Sequence, residues 1–112
     1  MRRRQKTEFG CYLIELIKAT GMKQDEFFVA ARIKKPYFYD LLVASPPPID
    51  VQNRMLAVFD AKMGADEARK RKFYDLAAKE RNEIPADIAK LILDNPDKLG
   101  TIRQELEKLV KE

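Results

Sequence analysis

The chain has no histidine, no tryptophan, one cysteine and only four glycines in 112 residues. Each shortage closes off a class of chemistry. Without histidine there is no imidazole for acid–base catalysis or for a histidine metal site. A lone Cys11 makes neither an internal disulfide nor a zinc site, and it suits a reducing cytoplasm. The few glycines form no phosphate-cradling loop. With tryptophan absent, they also weigh against a loop-rich or sheet-rich chain. No apolar run approaches the length of a membrane span. The opening Met1-Arg2-Arg3-Arg4 is not followed by an apolar segment with a cleavage site, so no signal peptide is read. Carboxylates alternate with Lys and Arg, as on solvated helix faces, and no catalytic constellation forms. The expectation is a cytoplasmic non-enzyme without metal, cofactor or membrane association.

What is present fits one helical domain. A hydrophobic content of 46% is enough for one modest core at this length, and a charged content of 36% fits exposed helices. The net charge of +4 is mild. Residues 1–60 hold ten Lys+Arg against seven Asp+Glu, and residues 61–112 hold twelve against eleven, so the excess sits in the first half.

The stretch Gln24 to Leu42, QDEFFVAARIKKPYFYDLL, organises the rest. Phe27, Phe28, Ala30 and Ala31 have helical rather than alternating spacing, as do Tyr37, Phe38, Leu41 and Leu42. Pro36 fixes its own φ near the helical value and pushes Lys35 away from it, so Lys35 is read as an N-cap and Pro36 as the first helical residue. Two helices this short bury little alone and need a third element, as in a helix-turn-helix.

On either side the signals remain helical. Residues 1–6 form a basic arm, which either lies on phosphates or is a solvated tail. Thr7 caps a helix over 7–20 whose stripe is Phe9, Leu13, Leu16 and Ile17, and Gly21 stops it. Cys11 is read there as a small core residue. Ser45-Pro46-Pro47-Pro48 makes a stiff connector, in part polyproline II. Asp50 caps a fourth helix with Met55, Leu56, Val58 and Phe59 inward, ending near Met63-Gly64. A fifth spans Ala65 to Arg81, with Ala68, Phe73, Leu76 and Ala77 inward. Its basic run Arg69-Lys70-Arg71-Lys72 is either a solvated face or a contact for phosphate or an acidic partner. Ile84-Pro85 starts a sixth, with Ile88, Leu91, Ile92 and Leu93 apolar. Asn95-Pro96-Asp97 caps and opens a seventh, with the stripe Leu99, Ile102, Leu106, Leu109 and Val110. The expectation is all-α, with about seven helices and no sheet.

The segment GMKQDEFFVAARIKKPYFYDLL resembles the helix-turn-helix of the lambda-repressor-like, XRE-type DNA-binding domains. Gln24 opens the second helix as in that family, Phe27 follows three later, Ile33 is the apolar turn residue, and Tyr37-Phe38 is the aromatic–apolar pair. The later FYDLAAKERNEIPADIAKLILDNP is similar to the C-terminal extension of small bacterial and phage regulators of this type. The chain departs from the pattern at Phe28 and Ala31, an exchange of volume within one core layer. It departs again at Arg32, where the family often has Gly. A left-handed Arg there costs roughly 1 kcal/mol relative to Gly. Lys34, Lys35, Pro36 and Tyr39 replace the family's Ser- and Gln-rich base-reading positions.

The chain is read in three parts: the basic arm at 1–6, the helix-turn-helix DNA-binding domain that the resemblance implies at 7–63, and a helical extension at 64–112 that packs on the same domain and, by its apolar surplus, dimerises. The implied activity is sequence-specific binding of double-stranded DNA by a transcription regulator. Gln24 would contact a phosphate. Lys34 and Lys35 would reach phosphates or a guanine edge, and Tyr39 would face the bases. Tyr37 would contact a phosphate or lie half-buried with its hydroxyl in water. The rival is a protein-interaction module on the same fold, an antirepressor or adaptor, to which the run Tyr37-Phe38-Tyr39 is suited. Residues 85–110 hold more apolar surface than one chain needs for its core, which predicts a homodimer.

Overall fold

The protein is described here by a computed structural model covering residues 5–44 and 47–111. Among these residues there are seven α-helices and no strand. They are α1 (Glu8–Thr20), α2 (Gln24–Ala30), α3 (Lys35–Val43), α4 (Ile49–Met63), α5 (Glu67–Arg81), α6 (Ala86–Leu93) and α7 (Leu99–Lys111). A single 3-10 turn, Pro96–Lys98, leads into α7. The first four residues of the basic arm, and Ser45 and Pro46 of the connector, lie outside the described residues. Among the described residues no helix is long and apolar enough to cross a membrane.

α1 is the hub and packs against α3, α4 and α5. Its ends follow from local chemistry. Thr7 Oγ1 accepts the Gly10 N–H at 2.9 Å, and Gly21 closes the helix at φ 77°. The buried face of α1 is Phe9, Leu13, Leu16 and Ile17. Gly10 is buried too, under the Leu42 carbonyl of α3.

The core is a continuous run of rings. Phe28 meets Phe38 at 5.3 Å, Phe38 meets Phe27 at 6.2 Å, and Phe27 stacks on Phe59 at 4.9 Å. Phe59 reaches Phe73 at 6.2 Å, and Phe73 reaches Phe9 edge-on at 5.0 Å. All six phenylalanines of the chain are in this run, which ties together the first five helices. Burying each ring contributes about 1.5–3 kcal/mol, with more from edge and offset contacts. Buried residues continue to Ala78 in α5. α6, the 3-10 turn and α7 bury none of their residues.

Several local expectations shift. α3 begins one residue early, with Lys34 rather than Lys35 as N-cap. The Phe38 N–H must be paired inside the core, and it donates to the Lys34 carbonyl at 2.9 Å. Pro36, at the second helical position, still falls where its missing N–H has no intrahelical partner. α4 is capped by Pro48, not Asp50, because the N–H groups of Val51 and Gln52 both reach the Pro48 carbonyl at 3.1 Å. Asp50 instead pairs with Arg54 at 3.5 Å. α5 starts after Asp66, whose carboxylate accepts the Arg69 N–H, and Ala68 faces solvent. Pro85 precedes α6 as its N-cap residue rather than starting it. The connector is docked: Pro47 is fully buried and Pro48 has polyproline-like angles, φ −64° and ψ 167°. Cys11 is exposed, because it lies opposite the α1 stripe.

Candidate nucleic-acid interface

α2, the turn and α3 form a helix-turn-helix whose bend is closed by a left-handed cap. Arg32 takes φ 59°. Its N–H donates to the Val29 carbonyl at 3.0 Å, and the Ile33 N–H donates to Phe28 at 2.8 Å. These bonds satisfy the last carbonyls of α2 and reverse the chain. Ile33, 5% exposed, is thereby driven into the core beside Phe28.

A residue from α4 fastens this turn. Arg54 Nε donates to the Ala31 carbonyl at 3.0 Å, and its Nη2 lies 3.5 Å from the Arg32 carbonyl. Asp50 steadies the guanidinium from one helical turn away. Sequence reasoning missed Arg54. Its partners are more than twenty residues distant, and no local pattern marks it.

The buried side of α3 is Phe38, Leu41 and Leu42. That anchoring decides what faces outward. Lys34 and Lys35 stand exposed at the helix N-terminus, whose first turn carries no acid. The positive end of the helix dipole thus adds to two lysines. Tyr39, 44% exposed, lies one turn beyond Lys35 on the same stripe, with its ring edge against Phe38 at 5.5 Å. Tyr37, 38% exposed, lies to one side. Gln24 is exposed in the first turn of α2, which packs on α3. The structure therefore gathers Lys34, Lys35, Tyr37 and Tyr39 on one helix end and places Gln24 on the adjoining helix.

The surrounding charge is mixed. Lys23 and Arg32 are exposed nearby, as are Asp25, Glu26 and Asp40. Glu26 is engaged locally, accepting the Lys23 N–H at 3.0 Å and so capping α2. The basic run of α5 is spread around its helix. Arg69 pairs with Asp60 at 2.8 Å and also donates to the Gly64 carbonyl, while Lys72 lies 4.5 Å over the Tyr12 ring. These two cations serve the fold. Two tyrosines away from α3 have raised pKa values, Tyr12 and Tyr74, each chiefly because burial disfavours the phenolate. Among the described residues, no group of three or more acidic or cysteine side chains could hold a metal ion. No family model, curated protein or solved structure matches this chain.

Proposed function

We propose that this chain is a sequence-specific regulator of transcription that binds double-stranded DNA through α3. The observation that carries the reading is the fastened helix-turn-helix. Its second helix is anchored by Phe38, Leu41 and Leu42 and turns Lys34, Lys35 and Tyr39 outward. In the corresponding docking geometry the N-terminal residues of such a helix meet base edges in the major groove. Lys34 and Lys35 take phosphates or guanine acceptors, Tyr39 faces the bases, and Gln24 positions α2 on the backbone. Tyr37 reaches a phosphate from the flank. The chain acts as a homodimer through residues 85–110, in a reducing cytoplasm that leaves the exposed Cys11 as a thiol.

One observation favours a second reading, a protein-interaction module. Two half-exposed tyrosines and the exposed Asp40 share the outward side of α3, a composition that suits a protein surface. Salt separates the two readings. Selection from a random duplex pool, followed by anisotropy titrations, is expected to yield a site whose affinity falls steeply with salt. Replacing Lys34 and Lys35 with Ala is expected to weaken binding and reduce the salt slope by about one unit per lost phosphate contact. Unchanged affinity and slope in that double variant would remove α3 from the interface.

A further inference from the structure

We infer that the groove between α2 and α4 docks an acidic amphipathic helix of a partner protein. This inference does not depend on the DNA-binding reading. The groove has a volume of about 470 Å³ and runs along one side of α4. Its floor is Met22, Ala30, Ala57, Val58 and Ala61. Ala57 and Ala61 stand one turn apart on α4, and Ala30 lines the groove from α2; all three are exposed. Side chains this short let a helix backbone come close and leave room for its larger apolar residues.

The polar edges of the groove offer donors. Its polar side chains are Arg32, Asn53, Arg54 and Lys62, and no carboxylate lines it. Asn53 Oδ1 already accepts the Tyr74 hydroxyl, which leaves the Nδ2 donors of that amide to be matched. Arg54 is committed to Asp50 and to the Ala31 carbonyl. Arg32 and Lys62 are exposed and make no ion pair among the described residues. Asp60, the acid of α4 closest to Lys62 in the chain, is held by Arg69. Two free cations thus flank an apolar floor, and the complementary occupant brings carboxylates.

The spacing of the cations sets the occupant's pattern. Arg54 reaches the Arg32 carbonyl, so Arg32 stands at the first end of the groove. Lys62 stands at the other, eight residues beyond Arg54, or about 12 Å along the helix axis. A docked helix meets both cations with carboxylates about seven residues apart and lays the apolar residues between them over Ala57 and Ala61. A chain of nucleic-acid phosphates would satisfy the cations but leave the apolar floor unmatched, so the groove suits a protein.

The test uses the full chain and a capped synthetic helix built on Glu-x-x-Leu-Leu-x-x-Glu, with alanine and glutamine elsewhere, beside a twin with lysine in place of glutamate. Saturable one-to-one binding of the glutamate peptide is expected, with NMR shifts at Ala30, Ala57 and Ala61. The lysine twin should bind about tenfold more weakly. Lys62→Glu should weaken the glutamate peptide about fivefold and strengthen the lysine twin. Ala57→Gln lays a polar chain over the floor and should weaken both, whereas the double change Leu106→Ser and Leu109→Ser should leave binding intact. Lys62 and Ala57 are exposed, so both variants keep the core, and an unchanged melting temperature checks this. Equal binding of the two peptides to the wild-type chain, or no saturable shift at millimolar peptide, overturns the proposal. Shifts confined to α6 and α7 overturn the site. A duplex oligonucleotide that moves Ala57 and Ala61 when the glutamate peptide does not overturns it too, and gives this face to DNA.

Discussion

Arg32 holds the turn between α2 and α3 at φ 59°, where an ordinary side chain is strained. Arg32→Gly is therefore expected to raise stability by about 0.5–1 kcal/mol in denaturant titration. The backbone bonds of the cap, and the carbonyls that Arg54 approaches, do not depend on the side chain. The same change should weaken the proposed DNA binding, since it removes a positive charge beside α3. Asn82 ends α5 with the same left-handed geometry at φ 55°, but asparagine tolerates it. Tyr74 gives a second test at this scale. Its phenol is raised above its ordinary value of 10.0 in the folded chain, by burial first and then by Asp87 and Asp60. Its contribution to stability is thus complete below the unfolded value and is lost as pH climbs through the folded one. Tyr74→Phe should cost about 1 kcal/mol at neutral pH through the lost bond to Asn53, and should flatten the alkaline fall in stability. Unfolding curves from neutral pH into the alkaline range check both, with tyrosinate absorbance reporting the titration.

At the scale of elements, one close approach sets the angle between α1 and α3. The Thr7 N–H donates to the Leu42 carbonyl at 3.0 Å, and that carbonyl lies over Gly10. A Cβ built on Gly10 would stand 2.1 Å from the Leu42 oxygen, and 2.8 Å from its carbonyl carbon. In an open helix Ala would be favoured over Gly by up to about 1 kcal/mol. Here the clash is with backbone and cannot be relieved by a rotamer. Gly10→Ala is expected to destabilise the chain by about 2–3 kcal/mol, measured by thermal or denaturant unfolding. It should also weaken the proposed DNA binding more than Arg32→Gly does, because α3 must move bodily away from α1. An unchanged melting temperature would mean that α1 and α3 do not meet this closely in solution.

The whole molecule is longer than its buried core requires. Its radius of gyration is 16.2 Å and its extents are 46 × 36 × 23 Å, whereas a compact chain of this length has a radius of about 13 Å. Helices α6 and α7 bury none of their residues and lie outside that core. Helix α7 packs mainly on the 3-10 turn before it, and Leu106, Leu109 and Val110 are 52%, 65% and 83% exposed. A helix of this length is marginal in water without support. The steps of three and four from Leu99 through Ile102 and Leu106 to Leu109 give it one apolar seam, suited to a like helix. The proposed homodimer would cover that seam by a two-fold contact. A chain ending at Asn82 keeps every residue of the core. It should unfold cooperatively and run as a monomer in light scattering, while the full chain runs as a dimer at micromolar concentration. A monomeric full chain would refute the dimer, and a dimeric truncated chain would put the contact elsewhere.

The sequence by itself determined the helices, the two ends of α1 and most of the core. Thr7 and Gly21 mark the ends of α1, and the spacing of Phe38, Leu41 and Leu42 marks the buried side of α3. It thereby turns Lys35 and Tyr39 outward. These signals are local: a cap, a stop or a stripe is set by residues within about four positions. Only the tertiary structure decided that Ala68 faces solvent and that Tyr74 and Ala78 are buried. The same holds for Gly10 beneath Leu42, Arg54 over the turn, and the groove between α2 and α4. Each of these depends on which atoms another helix brings within reach. Side-chain periodicity names a face of a helix, but a neighbour's approach fixes how wide that face is and which groups on it find partners.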